Sequence, residues 1–291
     1  MPTVSDRSRL ISIVQSRQNA RVRELRAAFA RSPRDPAEVI AIEGEHLLAE
    51  ALRSGLRLRT VFVRADPDRR DASLRMLERL ALPGPVPIVS LNPAVFASAV
   101  ETESPQGIAA LVEPPRFSFA EALGEPDTPG TLTGRRIPLI ILTAALQDPG
   151  NFGSLVRSTE AFGGTGVIAL PGTVDVWNSK ALRASAGSAF RVPVVQEKPA
   201  LALATLAERK VSVLAAVSSG DGAVPCTACD FTQPVAILIG NEGSGLSAEL
   251  LERADARVSI PMPGPVESLN AAVAASILLY EAARQRVAGT R

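Results

Sequence analysis

Val235-Ala236-Ile237-Leu238-Ile239 is an unbroken apolar run that ends in Gly240-Asn241-Glu242-Gly243-Ser244-Gly245, and the reading of this stretch decides the fold. The run reads as an apolar strand. After a short helix a second strand, Arg257 to Ile260, runs into Pro261-Met262-Pro263-Gly264-Pro265-Val266-Glu267-Ser268-Leu269-Asn270 and then into an Ala-rich helix. In open α/β sheets such strand exits are where ligands bind.

Chemistry narrows the ligand. A Walker-type phosphate cradle needs Lys after its last glycine, where this chain has Leu246. A dinucleotide loop reads G-x-G-x-x-G, whereas this one reads G-x-x-G-x-G with Glu242 inside it, and a carboxylate there would repel a pyrophosphate. A cationic ligand suits the loop better, although an ordinary glycine turn explains it too. In the second loop Pro261, Pro263 and Pro265 fix φ and remove backbone donors, so the path is stiff before any ligand arrives. Ser268 and Asn270 stand where the next helix begins, placed to cap it or to face a ligand.

Taken with Asn151-Phe152-Gly153-Ser154-Leu155-Val156-Arg157-Ser158, these loops resemble the three motifs of the SpoU (TrmH-like) branch of the SPOUT RNA methyltransferases. The motifs read approximately N-x-G-x-[IL]-x-R-[ST], [IL]-G-x-E-x-x-G-[IL] and I-P-M-x-G-x-x-x-S-L-N. They match Asn151–Ser158, Ile239–Leu246 and Ile260–Asn270, in the family's order. The resemblance implies an α/β protein: a C-terminal SPOUT α/β trefoil-knot domain preceded by a small L30e-like α/β substrate-binding domain. It implies S-adenosylmethionine as cofactor, RNA as partner, and a homodimer with active sites at the subunit interface. It places Asn151, Arg157 and Glu242 on the acceptor side, supported by Ser268 and Asn270. The cofactor is expected against Leu238, Ile239, Gly240, Ile260, Met262, Ser268 and Leu269.

The arginine matching Arg157 is the family's proposed catalytic residue. A guanidinium is a poor base at neutral pH, so Arg157 is read as fixing an RNA phosphate and steadying the developing alkoxide. Local readings exist for both ends of this motif. Arg157 could simply pair with Glu160 one turn on, and Asn151 could be an N-cap after Pro149-Gly150.

The rest of the chain bounds these readings. Its 291 residues accommodate two domains, and 46% hydrophobic content marks a globular protein. No apolar run reaches the roughly 18 residues that span a bilayer, and no apolar segment follows the charged Met1–Arg9 stretch as a secretory signal requires. Membrane association is not expected, and the cytoplasm is the default location. Cys226 and Cys229 form a lone C-x-x-C. With His46 the only histidine, and distant in sequence, no metal site is expected and the thiols are read as buried or loop residues. His46 is read as structural, at a helix start. Net charge is only +1, but between Arg7 and Arg34 the residues Arg7, Arg9, Arg17, Arg21, Arg23, Arg26, Arg31 and Arg34 face Glu24 alone. Such a stripe is an electrostatic footprint for RNA, or else the solvated face of an arginine-rich helix.

Strand and helix signals alternate along both halves. Strands are expected at Val39–Ile42, Thr60–Val63, Val86–Val89 and Ile108–Val112, with helices at Glu45–Ser54, Ala72–Leu80 and Pro93–Ala99. Residues 1–113 are thus expected to form a small α/β domain, which the resemblance implies is the RNA substrate-binding domain, and 114–136, rich in Pro and Gly, a linker with one helical turn at Phe119–Leu123. Residues 137–291 form the SPOUT domain. Its strands are expected at Pro138–Thr143, Gly166–Leu170, Val192–Val195 and Val211–Val217, and its helices at Asn151–Phe162, Ser179–Ala186 and Ala200–Arg209. Gly163-Gly164 stops a helix instead of cradling a phosphate. The activity expected is methyl transfer to a ribose 2′-hydroxyl, with ribosomal RNA favoured because the appended domain is commoner among the ribosomal enzymes. A transfer-RNA ribose methyltransferase or a non-catalytic RNA-binding module are the alternatives; a nucleotide-dependent oxidoreductase is weakened by the failed fingerprint.

Overall fold

The computed structural model describes residues 13–30, 38–65, 78–82, 84–125, 136–218, 220 and 222–288. Arg7, Arg9, Arg31 and Arg34 lie outside these residues, as do positions 72–77 of the helix expected over Ala72–Leu80; 78–80 are helical. The chain forms two compact units, Met1–Pro115 with Trp177–Phe190, and Arg116–Val176 with Arg191–Arg291. Among the described residues no helix is long and apolar enough to cross a membrane.

The first unit is built on a five-stranded sheet of order β1-β4-β3-β5-β2, comprising β1 (Ile13–Val14), β2 (Ile40–Glu43), β3 (Leu58–Arg64), β4 (Ile88–Leu91) and β5 (Ile108–Val112). β5 runs antiparallel to β2 and β3, while β3, β4 and β1 are mutually parallel. β4 begins two residues later than expected because Pro87 has no N–H for the ladder; it contributes only its carbonyl, to the N–H of Val61. The arginine-rich segment is helix α1 (Ala20–Ala30), and it is amphipathic. Val22, Leu25 and Phe29, three and four apart, bury against Phe62, Phe96 and Leu111, so the arginines occupy what remains of the helix surface. α2 (Glu45–Arg53) and α3 (Pro93–Ala99) lie where expected, the latter capped by Asn92 Oδ1 on the N–H of Val95 at 2.8 Å. His46 is exposed in the first turn of α2.

The second unit carries a seven-stranded sheet of order β10-β12-β9-β11-β6-β7-β8, parallel throughout. Its strands are β6 (Leu139–Thr143), β7 (Gly166–Ala169), β8 (Val194–Gln196), β9 (Ser212–Ala216), β10 (Ala223–Pro225), β11 (Val235–Ile239) and β12 (Ala256–Ser259). β6, β7 and β11 are buried along their whole length, as their unbroken apolar runs require. Helix α4 (Phe119–Ala122) leads in, followed by α5 (Pro149–Ala161), α7 (Pro199–Glu208), α8 (Ala248–Glu252) and the last helix α9 (Ala271–Ala288). Leu203 and Leu206 of α7 share one core with Ile140, Leu142, Ile168 and Leu238 of the sheet. After α5 the backbone turns at Gly163 (φ 73), and Gly164 N–H bonds back to Thr159 O at 2.7 Å, the helix stop expected there. Helix α6 (Ser179–Ser185) and the 3₁₀ turn Ser188–Phe190 fall inside the stretch read as the second domain, yet they pack within the first unit. There a Cβ on Gly187 would meet the Glu50 side chain at 2.5 Å.

Candidate active site

β9, β11 and β12 are neighbours in the parallel sheet, so their C-terminal exits open side by side. Under them lies a cavity of about 420 Å³, within the range of small-molecule sites. Ile239, Gly240, Ile260, Met262, Ser268 and Leu269 line it, together with Glu242. Leu238 does not: it is fully buried in the sheet core, one residue short of the exit. The lining also includes Ala216, Val217 and Ser218 at the end of β9, which sequence reasoning missed. The strand was visible but its adjacency to β11 was not.

The glycine loop is closed by its own backbone. Asn241 and Gly245 exchange N–H···O bonds of 3.1 and 3.0 Å, and a Cβ on Gly240 would meet the carbonyl carbon of Gly245 at 2.5 Å. Gly240 is therefore glycine because the chain folds back onto it, not because φ is positive. Gly245 does need the left-handed region, at φ 67.

Three residues from three distant motifs form one relay. Asn270 Oδ1 accepts from the N–H groups of Ala272 (2.9 Å) and Val273 (3.2 Å), capping α9. Its Nδ2 must then face away, and it donates to Asn151 Oδ1 at 2.9 Å. That turns Asn151 Nδ2 toward Glu242 Oε1, 3.0 Å away. Each amide has one orientation that satisfies the chain. Asn151 caps nothing: the cap of α5 is Asp148, whose Oδ1 accepts from Asn151 N–H at 2.7 Å. Among the described residues Ser268 makes no capping bond, and it lines the cavity.

Arg157 is exposed on α5, and among the described residues its side chain has neither hydrogen bond nor ion pair. The local pairing with Glu160 is not made, because Arg191 takes that carboxylate, with Nη2 3.0 Å from Oε2. Arg157 lines neither the cavity nor the adjoining groove, of similar size, formed by Asn151, Ser154, Asn270, Val273 and Tyr280 among others. In the first unit Arg17, Arg21, Arg23 and Arg26 are all exposed. Two of them are engaged within the unit: Arg21 Nη1 donates to Thr60 Oγ1 at 3.1 Å, and Arg26 Nε to Ser98 O at 3.0 Å. Cys226 is buried and Cys229 half-buried, both free thiols whose pKa values burial pushes up.

The cavity suits an adenosyl sulfonium by its chemistry. Its walls are largely apolar side chains and glycine-loop backbone, and among the described residues its lining holds no Lys or Arg to receive phosphates and one carboxylate, Glu242. Sheet, cavity and relay together define an α/β methyltransferase of the SpoU type. Comparison with known proteins bears this out: the profile of the SpoU rRNA Methylase family matches residues 138–280, and that of the MRM3-like substrate binding domain matches residues 19–110. The chain is 33% identical over 268 residues to the 23S rRNA (guanosine(2553)-2′-O)-methyltransferase RlmP of Bacillus subtilis (strain 168), covering 92% of this chain and 97% of that protein. Among solved structures it is similar to the SpoU methyltransferase AviRb from Streptomyces viridochromogenes in complex with AdoMet. That match has a TM-score of 0.77 and 30% identity, over 93% of this chain and 99% of AviRb. It is also similar to an AdoMet-bound rRNA methyltransferase from Sinorhizobium meliloti (TM-score 0.71, 26% identity, 94% and 98% covered). The chain belongs to the SpoU rRNA methylase family.

Proposed function

We propose that this protein transfers the methyl group of S-adenosylmethionine to a ribose 2′-hydroxyl of large-subunit ribosomal RNA. The observation that carries the reading is the Asn270–Asn151–Glu242 relay, which fixes a carboxylate on the wall of a cavity that has no cationic lining among the described residues. Ile239, Gly240, Ile260, Met262 and Leu269 would hold the cofactor, which supplies a methyl already activated by its sulfonium. The chain's own task is to position the acceptor and manage one proton. Glu242, anchored through Oε1, offers its other oxygen to the incoming hydroxyl. Arg157, with no partner of its own among the described residues, is available to grip the adjacent phosphate and steady the alkoxide.

Three further expectations belong to this reading. A homodimer is supported by Val273, Tyr280 and Val287, exposed at seven-residue spacing along α9, with Tyr280 stacked edge-on against Phe162. The trefoil knot is expected from the family the chain belongs to, and the strand order, in which the chain crosses from β11 past β9 to β12, accommodates it. A ribosomal RNA substrate favours a cytoplasmic location. The decisive experiment maps 2′-O-methyl groups in total RNA from cells with and without this protein. Loss of one methyl from large-subunit RNA is expected. Loss from transfer RNA alone moves the substrate, and no loss anywhere overturns the activity.

A further inference from the structure

Asn241 stands between Gly240 and Glu242, both fixed by the family motif, and every polar group it has is used. Its backbone N–H and carbonyl close the loop onto Gly245. Its Oδ1 accepts from Gly243 N–H (2.9 Å), Ser244 N–H (3.1 Å) and Ser244 Oγ (3.3 Å), an Asx turn that shapes the glycine loop from inside. Its Nδ2 reaches out of the loop and donates to Ala145 O at 2.8 Å. Ala145 is a non-glycine residue in the left-handed region, φ 55, in the turn between β6 and the Asp148 cap of α5. A residue rarely holds that conformation unless its surroundings impose it. The same turn carries α5, and with it Asn151 and Arg157.

We infer that Asn241 is a positioning residue: a strut that fixes the acceptor helix α5 to the cofactor loop through Ala145 O. Its two functions separate by atom. The Oδ1 side shapes the loop that lines the cavity, and the Nδ2 side sets the distance from that loop to the acceptor residues. The inference rests on the reading of the cavity as the S-adenosylmethionine site.

Asn241→Asp separates the two, because an aspartate keeps the acceptor for Gly243 and Ser244 but has no donor for Ala145 O. With S-adenosylmethionine in calorimetry and a 23S rRNA transcript in turnover assays, the variant should bind cofactor nearly as the parent does. Its kcat should fall on the order of 10- to 100-fold, the scale of a misplacement of about an ångström. Asn241→Ala should lose both cofactor affinity and kcat. Hydrogen–deuterium exchange on the full chain gives a readout independent of activity. Uptake over residues 144–150 should rise in the Asp variant while residues 243–245 stay as protected as in the parent. Parental kcat in Asn241→Asp, or unchanged exchange over 144–150, overturns the strut. A parent chain that binds no S-adenosylmethionine overturns the cavity reading instead, and the exchange result still decides whether Nδ2 restrains the turn.

Discussion

Asn270 donates from Nδ2 to Oδ1 of Asn151 at 2.9 Å, joining side chains 119 positions apart. The bond has a direction, because the other end of Asn270 is committed to capping α9. Turning either amide over would set oxygen against oxygen or place an N–H₂ against backbone N–H groups. Glu242 therefore takes its orientation from the start of a helix in another motif.

Asn270→Asp tests that relay without touching the cap, since aspartate caps as well as asparagine. The melting temperature and S-adenosylmethionine affinity should hold. Turnover should fall roughly 10- to 100-fold as Asn151 loses its orienting donor. Normal turnover would mean that Glu242 needs no such alignment.

Arg157→Ala should abolish methyl transfer while cofactor affinity changes little, because Arg157 lines no part of the cavity. Arg157→Lys should recover little, since an ammonium cannot make the bidentate grip on phosphate. A substantially active alanine variant would remove Arg157 from the chemistry.

Gly240→Ala should destroy cofactor binding through the loop's own closure. The added Cβ lands 2.5 Å from Gly245 C and 2.8 Å from Leu246 N, both backbone atoms that cannot swing aside. Gly264→Ala, where a Cβ meets nothing within 4 Å, should cost far less. Calorimetry with S-adenosylmethionine distinguishes them, and parental affinity in Gly240→Ala would show that the loop tolerates opening.

Much of this was legible in the sequence, for physical reasons. β11 is apolar at every position and β6 at all but its last, Thr143, so both read as strands of an α/β sheet. The glycine and proline loops announced where the sheet opens. What escaped was whatever depends on neighbours. β10 and β1 are too short to carry a pattern, and β4 and β8 begin late because Pro87 and Pro193 spoil their first positions. α5 starts two residues before the expected Asn151, because Asp148 and Asn151 are both good caps and only geometry shows that Asp148 is the one used. Leu238 was placed at the cofactor, by its backbone, through the family resemblance; strand alternation turns its side chain into the core. Asn241 had no sequence signal at all, since its value lies in reaching Ala145.

Glu281 predicts an acid-labile C-terminal helix. This buried carboxylate accepts from Arg284 Nε (2.8 Å) and Nη2 (2.7 Å) and from Gln285 Nε2, and the Arg284 bonds hold its pKa below the ordinary value of 4.5. A depressed folded pKa adds stability above the unfolded value, and that increment is lost as pH falls through the folded one. Thermal melts from pH 6 downward should therefore show a loss of stability beginning near pH 4.5. Glu281→Gln should be less stable at pH 6 and flatten the curve. An unchanged slope in that variant would mean the carboxylate titrates alike in both states.

The arginine stripe divides by what its members hold. Arg21 and Arg26 bond to Thr60 and Ser98 within their own unit, whereas Arg17 and Arg23 are exposed and, among the described residues, their guanidinium groups have no partner. RNA affinity should fall steeply with salt, with a log–log slope of roughly 0.7 to 0.9 per neutralised phosphate. Arg17→Gln with Arg23→Gln should flatten that slope by up to about two such increments and leave melting and cofactor binding alone. Arg21→Gln with Arg26→Gln should lower the melting temperature first, because it removes bonds that tie α1 to β3 and α3. The full chain is the right vehicle. Deleting the first unit would also strip the packing from Trp177–Phe190, which belongs to it in space though not in sequence, so a fragment's failure would not isolate RNA reading. If the Arg17 and Arg23 pair leaves the salt slope unchanged, α1 and its approach are a solvated helix face and RNA is gripped elsewhere.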